Sequence, residues 1–415
     1  MSQDLREHYR ALLDLLPPWV VTNVSLKLLE KRVEISISWP EGHLVPCPEC
    51  QAECPLHDHR ASRQWRHLDT MQFQTIIISE VPRSNCPKHG IKTVQIPWAA
   101  PHGRFTLMFE AFVIEVLKAT KNVREAANLL GLSWDQVRDI QSRAVERGLK
   151  RREVDQLKHL GIDEKSFLKG HQYASIMVDL DGHRVLDVVQ DRTLEAVNKL
   201  WEGLPLQARR QVEAVAMDMW APFKTATESH APQAAIVHDK FHVSKYLNEA
   251  VDQVRRAEHK ELSKYHDETL KGSKYLFLKD QKNWNEKERQ RFEELQDEGL
   301  KVGRAWAIKQ VFMNFWTMNC KQSAKEFFKQ WYFWATHSQL KPVIKVAKML
   351  KRHFSNLLTY LNYPISNGMV EGFNSKIQMI KSNARSFRSF KNYRMLILCV
   401  CGKLNMAPIN PHKCL

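Results

Sequence analysis

The spacing of apolar and polar residues changes several times along the chain, and each change predicts a different kind of element. Residues 104–117 and 123–140 repeat their apolar positions at helical spacing. From about residue 158 the pattern becomes that of short buried strands, several of which end in an acidic residue. Between residues 246 and 362 the spacing is helical again. The pattern therefore predicts a multidomain protein in which helical and strand-rich segments alternate.

The two helical segments that end near residue 140 have the features of a helix-turn-helix. Ala126 and Ala127 permit close helix packing, Gly131 falls in the turn, and Ser133 can cap the second helix. We expect the second helix to enter the major groove of DNA, with basic residues beyond it on phosphates. An ordinary helical hairpin is the alternative. The residues expected to contact DNA are Trp134, Gln136, Arg138, Gln141, Arg143, Arg151 and Arg152.

The strand-rich segment predicts an α/β fold with elements in the order β-β-β-α-β-α-β-α. An antiparallel hairpin in this segment is expected to continue into a mixed sheet. Three of its strands end at Asp163, Asp218 and Asp239. Functional groups of α/β sheets concentrate at the carboxyl ends of strands, and clustered carboxylates suit Mg²⁺. Two such ions can activate a water or hydroxyl and stabilise the leaving oxygen of a phosphodiester. The alternative for each aspartate is that it caps the helix that follows it.

Charge points to a nucleic-acid partner. The 415 residues carry a formal net charge of +16, and residues 351–415 hold ten basic residues and a single acidic one, Glu371. That carboxylate either has a special role or pairs with a neighbouring lysine. With 43% hydrophobic and 26% charged residues, the composition excludes wholesale disorder. No apolar run reaches about 18 residues, and the N-terminus lacks an export signal, so we expect no membrane span and a cytoplasmic, nucleoid-associated protein.

Half of the eight cysteines lie between residues 47 and 86. Cys47-Pro-Glu-Cys50 and Cys86-Pro-Lys-His89 are two metal-binding turns that together offer the four ligands of a tetrahedral zinc ion. Strand-like sequence at 74–81 lies between them, as expected of a zinc ribbon. Four protein ligands leave no open position, so the one Zn²⁺ is expected to be structural. Cys54, His57 and His59 lie nearby in the sequence and are alternative zinc ligands.

Four motifs between residues 161 and 374 resemble those of the ISL3 family of bacterial insertion-sequence transposases. They are Gly161-Ile-Asp163, Ala216-Met-Asp218-Met-Trp, Val237-His-Asp239-Lys-Phe-His242 and Ser366-Asn-Gly-Met-Val-Glu371-Gly-Phe-Asn374. The resemblance implies an RNase H-like DDE catalytic core with Asp163, Asp218 and Glu371 as ligands of two Mg²⁺ (or Mn²⁺) ions. It also implies a secondary active-site role for Asp239 and His242, although Asp239 is a rival for the second catalytic aspartate.

The resemblance further implies a transposase that binds the terminal inverted repeats of its element, cuts DNA and transfers the strand to target DNA. Cutting two ends in one complex implies at least a homodimer on double-stranded DNA. The alternatives are a non-catalytic DNA-binding regulator and a nuclease without strand transfer.

Domain boundaries follow from these assignments. We expect a zinc ribbon at 1–100, a helix-turn-helix at 101–155, an RNase H-like core at 156–245 and 363–415, and an all-α insertion at 246–362, in which most of the many aromatic residues form a core. The last core segment contains the predicted Glu371 helix and a basic tail. The residues of this segment expected to contact DNA are Asn374, Lys376, Lys381, Arg385 and Arg388.

Overall fold

The computed structural model describes residues 2–168, 172–297 and 299–408. Within them the chain forms two compact units. Unit 1 comprises residues 2–152, 382–386 and 404–408, and unit 2 comprises the rest. Residues 409–415 of the predicted basic tail lie outside the described residues.

Unit 1 begins with a small β-rich region. Its elements are α1 (Ser2–Leu12), β1 (Val20–Lys27), β2 (Arg32–Ser38), β3 (Val45–Pro46), β4 (Glu53–Cys54), β5 (Leu56–His59), β6 (Arg63–Arg66), β7 (Gln74–Ser79), β8 (Pro82–Cys86) and β9 (Gly90–Thr93). One sheet has the order β1-β2-β7-β6, another the order β5-β8-β9, and β3 pairs with β4. Apolar residues at alternate positions of β2 and β7, such as Ile35 and Ile77, are fully buried beside Trp65.

The strand predicted between the two metal-binding turns is present as β7, and it pairs in a different sheet from the strands next to those turns. β7 lies in the four-stranded sheet, parallel to β2 and antiparallel to β6. The second turn instead begins at the end of β8, which pairs with β5 and β9. The buried side of β7 carries Thr75, Ile77 and Ser79, and Ile77 packs in the same core as the apolar residues of β2.

Three helices complete the N-terminal part of unit 1, namely α2 (Leu107–Thr120), α3 (Val123–Leu130) and α4 (Trp134–Lys150). Each is capped by a polar side chain, and Ser133 and Gln136 form a reciprocal capping box on α4. Gly131 ends α3 in the left-handed conformation with φ 63°, where glycine carries no steric penalty. The turn chemistry predicted between these helices is therefore present.

The C-terminal segment returns to unit 1 and packs on α4. The Arg147 guanidinium donates to the carbonyl oxygen of Met406 at 2.8 and 3.1 Å. The Arg151 guanidinium donates to the carbonyl oxygen of Ala407 at 2.6 Å. A Cβ on Gly148 would lie 2.7 Å from Cβ of Leu404, so this glycine allows the close approach.

Unit 2 is built on a five-stranded mixed sheet. Its first elements are β10 (His159–Leu168), β11 (Gln172–Asp179), β12 (Arg184–Gln190), α5 (Leu194–Glu202), α6 (Leu206–Gln211), β13 (Ala214–Met217), α7 (Ala221–His230), β14 (Ala235–His238) and α8 (Lys240–Leu262). The sheet order is β12-β11-β10-β13-β14. The first three strands are antiparallel, whereas β13 and β14 run parallel to β10. The predicted order of elements is present, with the short α6 in addition.

Between Lys240 and Thr359 the described regular elements are all helical. After α8 they are α9 (Lys274–Leu278), α10 (Glu286–Asp297), α11 (Lys301–Met313), α12 (Lys321–His337), α13 (Lys341–Arg352) and α14 (Phe354–Thr359), with three short 3₁₀ turns. Their common core is rich in aromatic side chains, including Phe312, Phe328 and Trp331. Among the described residues, no helix is long and apolar enough to span a membrane.

Two further helices return to the sheet, namely α15 (Gly368–Asn383) and α16 (Phe390–Cys401). Gly161 on β10 lets α15 approach closely, because a Cβ there would lie 2.5 Å from Cγ2 of the buried Val370. On β12, Asp187 accepts two hydrogen bonds from Arg394 of α16, at 2.6 and 2.8 Å. The contact at Gly161 places the predicted Glu371 helix against β10, the strand that carries Asp163, and the Arg394 contact holds α16 against β12.

Candidate functional site

The predicted zinc ligands lie together in unit 1. The ligand atoms of Cys47, Cys50, Cys86 and His89 all lie within 4.8 Å of one another. The sulfurs of Cys50 and Cys86 are 3.7 Å apart, and Sγ of Cys47 is 3.6 Å from Nδ1 of His89. A tetrahedral zinc site with Zn–S distances of about 2.3 Å places its ligand atoms roughly 3.8 Å apart. The four residues therefore fit a structural zinc ion.

The surroundings of the cluster favour this ligand set over Cys54. Burial raises the pKa of Cys86, but hydrogen bonds from the backbone of His89 and Lys88 outweigh it and lower the pKa to about 7. Burial raises the pKa of Cys54 to about 11, and its thiol donates to the carbonyl oxygen of Ala52. Since thiolates are the ligand form, Cys54 is the poorer ligand. Nε2 of His89 faces the Glu49 carboxylate at 3.7 Å, which orients the ring.

Asp163 and Asp218 lie side by side where the parallel pairing of two neighbouring strands in unit 2 ends. The prediction that the first strand ends at Asp163 is wrong, because β10 continues to Leu168 through its pairing with β11. Asp163 is on β10 and Asp218 directly follows β13, which pairs with β10 up to Ile162 and Met217. One oxygen of Asp163 accepts the backbone N–H of Glu164 at 2.8 Å. One oxygen of Asp218 likewise accepts the N–H of Met219, at 2.6 Å.

The second oxygen of each aspartate accepts a hydrogen bond from a neutral side chain. Nδ2 of Asn374 on α15 donates to Asp163 Oδ2 at 2.8 Å, and the Tyr246 hydroxyl on α8 donates to Asp218 Oδ2 at 3.1 Å. Asn374 is buried, so the expectation that it contacts DNA is replaced by a role in holding Asp163. Tyr246 was not predicted. Its signal was the spacing of four residues from His242, which places both side chains on one face of α8.

His242 lies between the two aspartates. Its Nε2 is 4.0 Å from Asp163 Oδ1 and 3.9 Å from Asp218 Oδ2, while its Nδ1 bonds to Asp239 Oδ2 at 3.1 Å. Burial lowers the pKa of His242, but the bond to Asp239 and the charges of Asp218 and Asp163 outweigh it and raise the pKa to about 9. The imidazolium thus offsets negative charge at the centre of the cluster.

Asp163 and Asp239 have different surroundings. Burial raises the pKa of Asp163 to about 6, in part opposed by the nearby His242. Asp239 is fully buried as the N-cap of α8, and it bonds to His242 and to the backbone N–H of Asn367 at 3.1 Å. Asp239 has no surface open to the solvent and contacts His242 directly, so it is placed to orient that ring.

Glu371 is separate from this cluster. It is exposed and lines a groove of about 640 Å³ along α8, with Ser244, Asn248 and Asp252 among the lining residues. Within the described ranges, the zinc set is the one group of three or more such ligand atoms found in mutual reach. The structure therefore unites Asp163 with Asp218 but leaves the Glu371 carboxylate outside. Its helix nevertheless reaches the site, because Asn374 lies one turn further along α15.

Two of the predicted DNA contacts on α4, Trp134 and Gln136, lie in its first turn. Trp134 is exposed, and the Arg138 guanidinium lies 5.4 Å from the centre of its ring. The Gln136 side chain is half-buried and accepts the backbone N–H of Ser133 as part of the capping box. Of the predicted contacts in the first part of α4, Trp134 is thus exposed, whereas Gln136 and Arg138 are half-buried.

Of the other predicted DNA contacts on and after α4, one is buried and two have partners within unit 1. Gln141 is only 2% exposed, because it lies one turn after Val137 on the inner face of the helix. Its expected contact with DNA is therefore wrong in this structure. Arg143 pairs with the buried Glu110 at 2.6 Å, and Arg151 bonds to the C-terminal segment. Arg152 is half-buried just after α4.

The basic residues predicted to contact DNA from the C-terminal segment are largely available. Lys376, Arg385 and Arg388 are exposed, and Lys381 is half-buried. The aromatic rings between these cations are mostly inside, since Tyr393 is buried and packs on Phe167 of the sheet. The cations rather than the rings therefore face the solvent.

Three family models match the chain. The first, described as a transposase model of ISL3, covers residues 160–397. The second, a helix-turn-helix domain of transposase family ISL3, covers residues 94–145. The third, a zinc finger of transposases IS204, IS1001, IS1096 and IS1165, covers residues 43–89. The predicted zinc ribbon, helix-turn-helix and α/β transposase domain are confirmed.

Two curated relatives are similar in sequence to this chain along most of their length. The chain is 26% identical over 355 residues to the transposase for insertion sequence element IS1001 of Bordetella parapertussis, covering 84% of this chain and 87% of the relative. It is 24% identical over 370 residues to the transposase for insertion sequence element IS1557 of Mycobacterium tuberculosis, covering 83% and 82%. With a family model that spans more than half of the sequence, the chain belongs to the ISL3 family of insertion-sequence transposases.

Proposed function

We propose that this transposase cuts DNA at the ends of its element and joins the freed strand to target DNA by metal-dependent chemistry at Asp163 and Asp218. One observation carries the proposal: the two carboxylates lie directly after the last paired residues of two adjacent parallel strands and are each held by a neutral donor. Such preorganised oxygen ligands suit phosphoryl transfer.

An RNase H-like core is the fold proposed for unit 2. The sheet order, with three antiparallel strands followed by two parallel ones, supports it, and so does the position of Asp218 beside Asp163. We propose that the helices at 246–362 are an insertion in this core, which resumes at 363. The boundaries at 100, 155 and 245 remain proposals of the same kind.

The donor chemistry of the site fits Mg²⁺ or Mn²⁺. Carboxylate oxygens are the preferred ligands of these hard ions, and burial of Asp163 disfavours its charged form unless a cation compensates it. Asp163, Asp218 and Glu371 would hold two ions, with Glu371 turned in from its groove. When bound, the ions would activate the attacking hydroxyl group and stabilise the leaving oxygen.

The remaining polar residues position these ligands. Asn374 and Tyr246 fix the orientation of the two aspartates, so that little reorganisation accompanies the reaction. Asp239 orients His242, which faces both carboxylates. Because the side chain of Asp239 is fully buried whereas that of Asp218 is 20% exposed, this arrangement supports Asp218 as the second ligand.

The proposed reaction has two displacements at phosphorus. Water attacks the phosphodiester at the element end, which leaves a 3′-hydroxyl and a 5′-phosphate. The 3′-hydroxyl then attacks a target phosphodiester, so one P–O bond forms as another breaks. The helix-turn-helix and zinc ribbon would bind the terminal inverted repeats, and a dimer would bring two ends together.

The test is a cleavage and strand-transfer assay with labelled DNA from the ends of the element, in Mg²⁺ or Mn²⁺. We expect Asp163→Asn, Asp218→Asn and Glu371→Gln to retain DNA binding and lose cleavage. Glu249→Gln is the matched control for Glu371, since it removes an exposed carboxylate from the same groove.

The outcomes separate the alternatives. Binding without cleavage by the wild-type protein would support a DNA-binding regulator. Cleavage without joining would support a nuclease. Full cleavage by Glu371→Gln would remove Glu371 from the ligand set and leave the two aspartates.

A further inference from the structure

A stack of three planar side chains lies beside the proposed catalytic aspartates. The Arg192 guanidinium carbon is 4.0 Å from the ring centre of Tyr173 and 4.7 Å from that of Trp220. Trp220 follows Asp218 by two residues, and Arg192 bonds to Glu164, the neighbour of Asp163. The stack is therefore anchored next to both aspartates.

The indole of Trp220 is held in a fixed orientation. Its Nε1–H donates to the carbonyl oxygen of Arg192 at 3.2 Å, and the guanidinium contacts its ring. The residue nevertheless remains 39% exposed. Most of the polar capacity of the indole is thus used within the protein, and what it offers to the solvent is an aromatic surface.

The charge of the stack argues against a phosphate as its ligand. The Arg192 guanidinium donates to Glu164 Oε1 at 2.8 Å, so the pair is close to neutral. A cation that is already paired attracts phosphate weakly, whereas stacking on a ring does not depend on charge. Every nucleobase offers a π-face, and base–aromatic stacking is a general mode of single-strand binding.

We propose that Trp220 stacks on an unpaired nucleobase of the DNA strand that is cut at Asp163 and Asp218. This inference rests on the proposed strand cleavage. Bases within a duplex are covered by their neighbours, so the ligand is a base that has left the helix next to the scissile phosphate. The base adds a fourth layer to the stack of Tyr173, Arg192 and Trp220. In this position it holds the scissile phosphate next to the two aspartates.

The experiment uses the full chain and a set of element-end duplexes, each with 2-aminopurine at one nucleotide near the element boundary. We expect the wild-type protein to change the fluorescence at one position and Trp220→Ala to abolish that change. Trp220→Phe, which keeps a ring, should retain most of it. An abasic nucleotide at that position should weaken wild-type binding about 10-fold, while Trp220→Ala should bind both duplexes equally.

Trp334→Ala is the matched control, because Trp334 is 41% exposed on α12 of the same unit. It should respond as the wild type does. Equal fluorescence changes in the wild type and Trp220→Ala would overturn the proposal, as would a Trp220→Ala protein that melts early but keeps the response. If the wild type shows the Trp220-dependent change and never cuts, the stacking site stands and the proposed cleavage fails.

Discussion

Gly161→Ala tests whether close packing of α15 on the sheet sets the active-site geometry. The backbone of Gly161 does not adopt a positive φ, so the added methyl acts through space alone. It would lie 2.5 Å from Cγ2 of Val370, 3.1 Å from Cδ2 of Leu180 and 3.2 Å from Oδ1 of Asn367. Because Val370 and Asn367 are fully buried, neither has solvent to move into.

Overpacking of this kind costs about 1–3 kcal/mol, so we expect Gly161→Ala to lower the free energy of unfolding by roughly 2 kcal/mol. Displacement of α15 should also move Asn374 away from Asp163, to which it donates at 2.8 Å. Cleavage activity should therefore fall by more than the loss of folded protein explains. Urea denaturation followed by circular dichroism measures the first effect, and the end-DNA assay at a temperature where the variant is folded measures the second.

A double-mutant cycle makes the test specific. Val370→Ala alone should cost roughly 2 kcal/mol through its cavity, but it removes the atom that the new methyl meets, so the two changes should compensate each other in part. Gly372→Ala on the same helix is the control. No atom lies within 4 Å of its Cβ position, and helix propensity predicts a gain of up to about 1 kcal/mol. The packing argument would be refuted if the losses in unfolding free energy of the two single variants simply added in the double variant. It would also be refuted if Gly161→Ala had the stability and activity of the wild type.

Three further outcomes are expected. Cys47→Ser should reduce the zinc content of the purified protein, measured by mass spectrometry of metals, and unchanged content would exclude this ligand set. Tyr246→Phe removes the hydroxyl donor to Asp218 and should weaken Mn²⁺ binding roughly 10-fold in calorimetric titration, with no large loss of stability. Burial lowers the folded-state pKa of His67 to about 4, so its stabilising contribution is complete above pH 6.5 and is lost as the pH falls towards 4. The unfolding free energy of the wild type should thus decline more steeply over that range than that of His67→Gln, by up to about 3 kcal/mol.

The features that the sequence predicts well depend on local chemistry. Ser133, Gly131 and the two metal-binding turns act through neighbours within a few residues, and the structure places them as their motifs indicate. A buried run followed by an acidic residue also placed Asp163 beside Asp218, although β10 continues past Asp163 to Leu168.

The features that the sequence did not predict depend on pairing and helix rotation over long separations. The strand β7 was predicted, but its pairing with β2 and β6 was not, because those partners lie outside the segment between the ligands. Gln141 is polar and was expected at the surface, but the phase of α4 turns it inward. Asn374 and Glu371 share a helix, and it is the packing of this helix on the sheet that brings Asn374 to Asp163.

The contact between α4 and residues 404–407 has a consequence for synthesis of the protein. The helix predicted to read DNA is made early by the ribosome, but its partners Met406 and Ala407 are made some 250 residues later. Unit 1 is therefore incomplete throughout translation of unit 2. A premature stop near the 3′ end of the gene would leave the catalytic strands intact and damage the DNA-binding end, so truncated products would not compete with the full-length protein for the ends of the element.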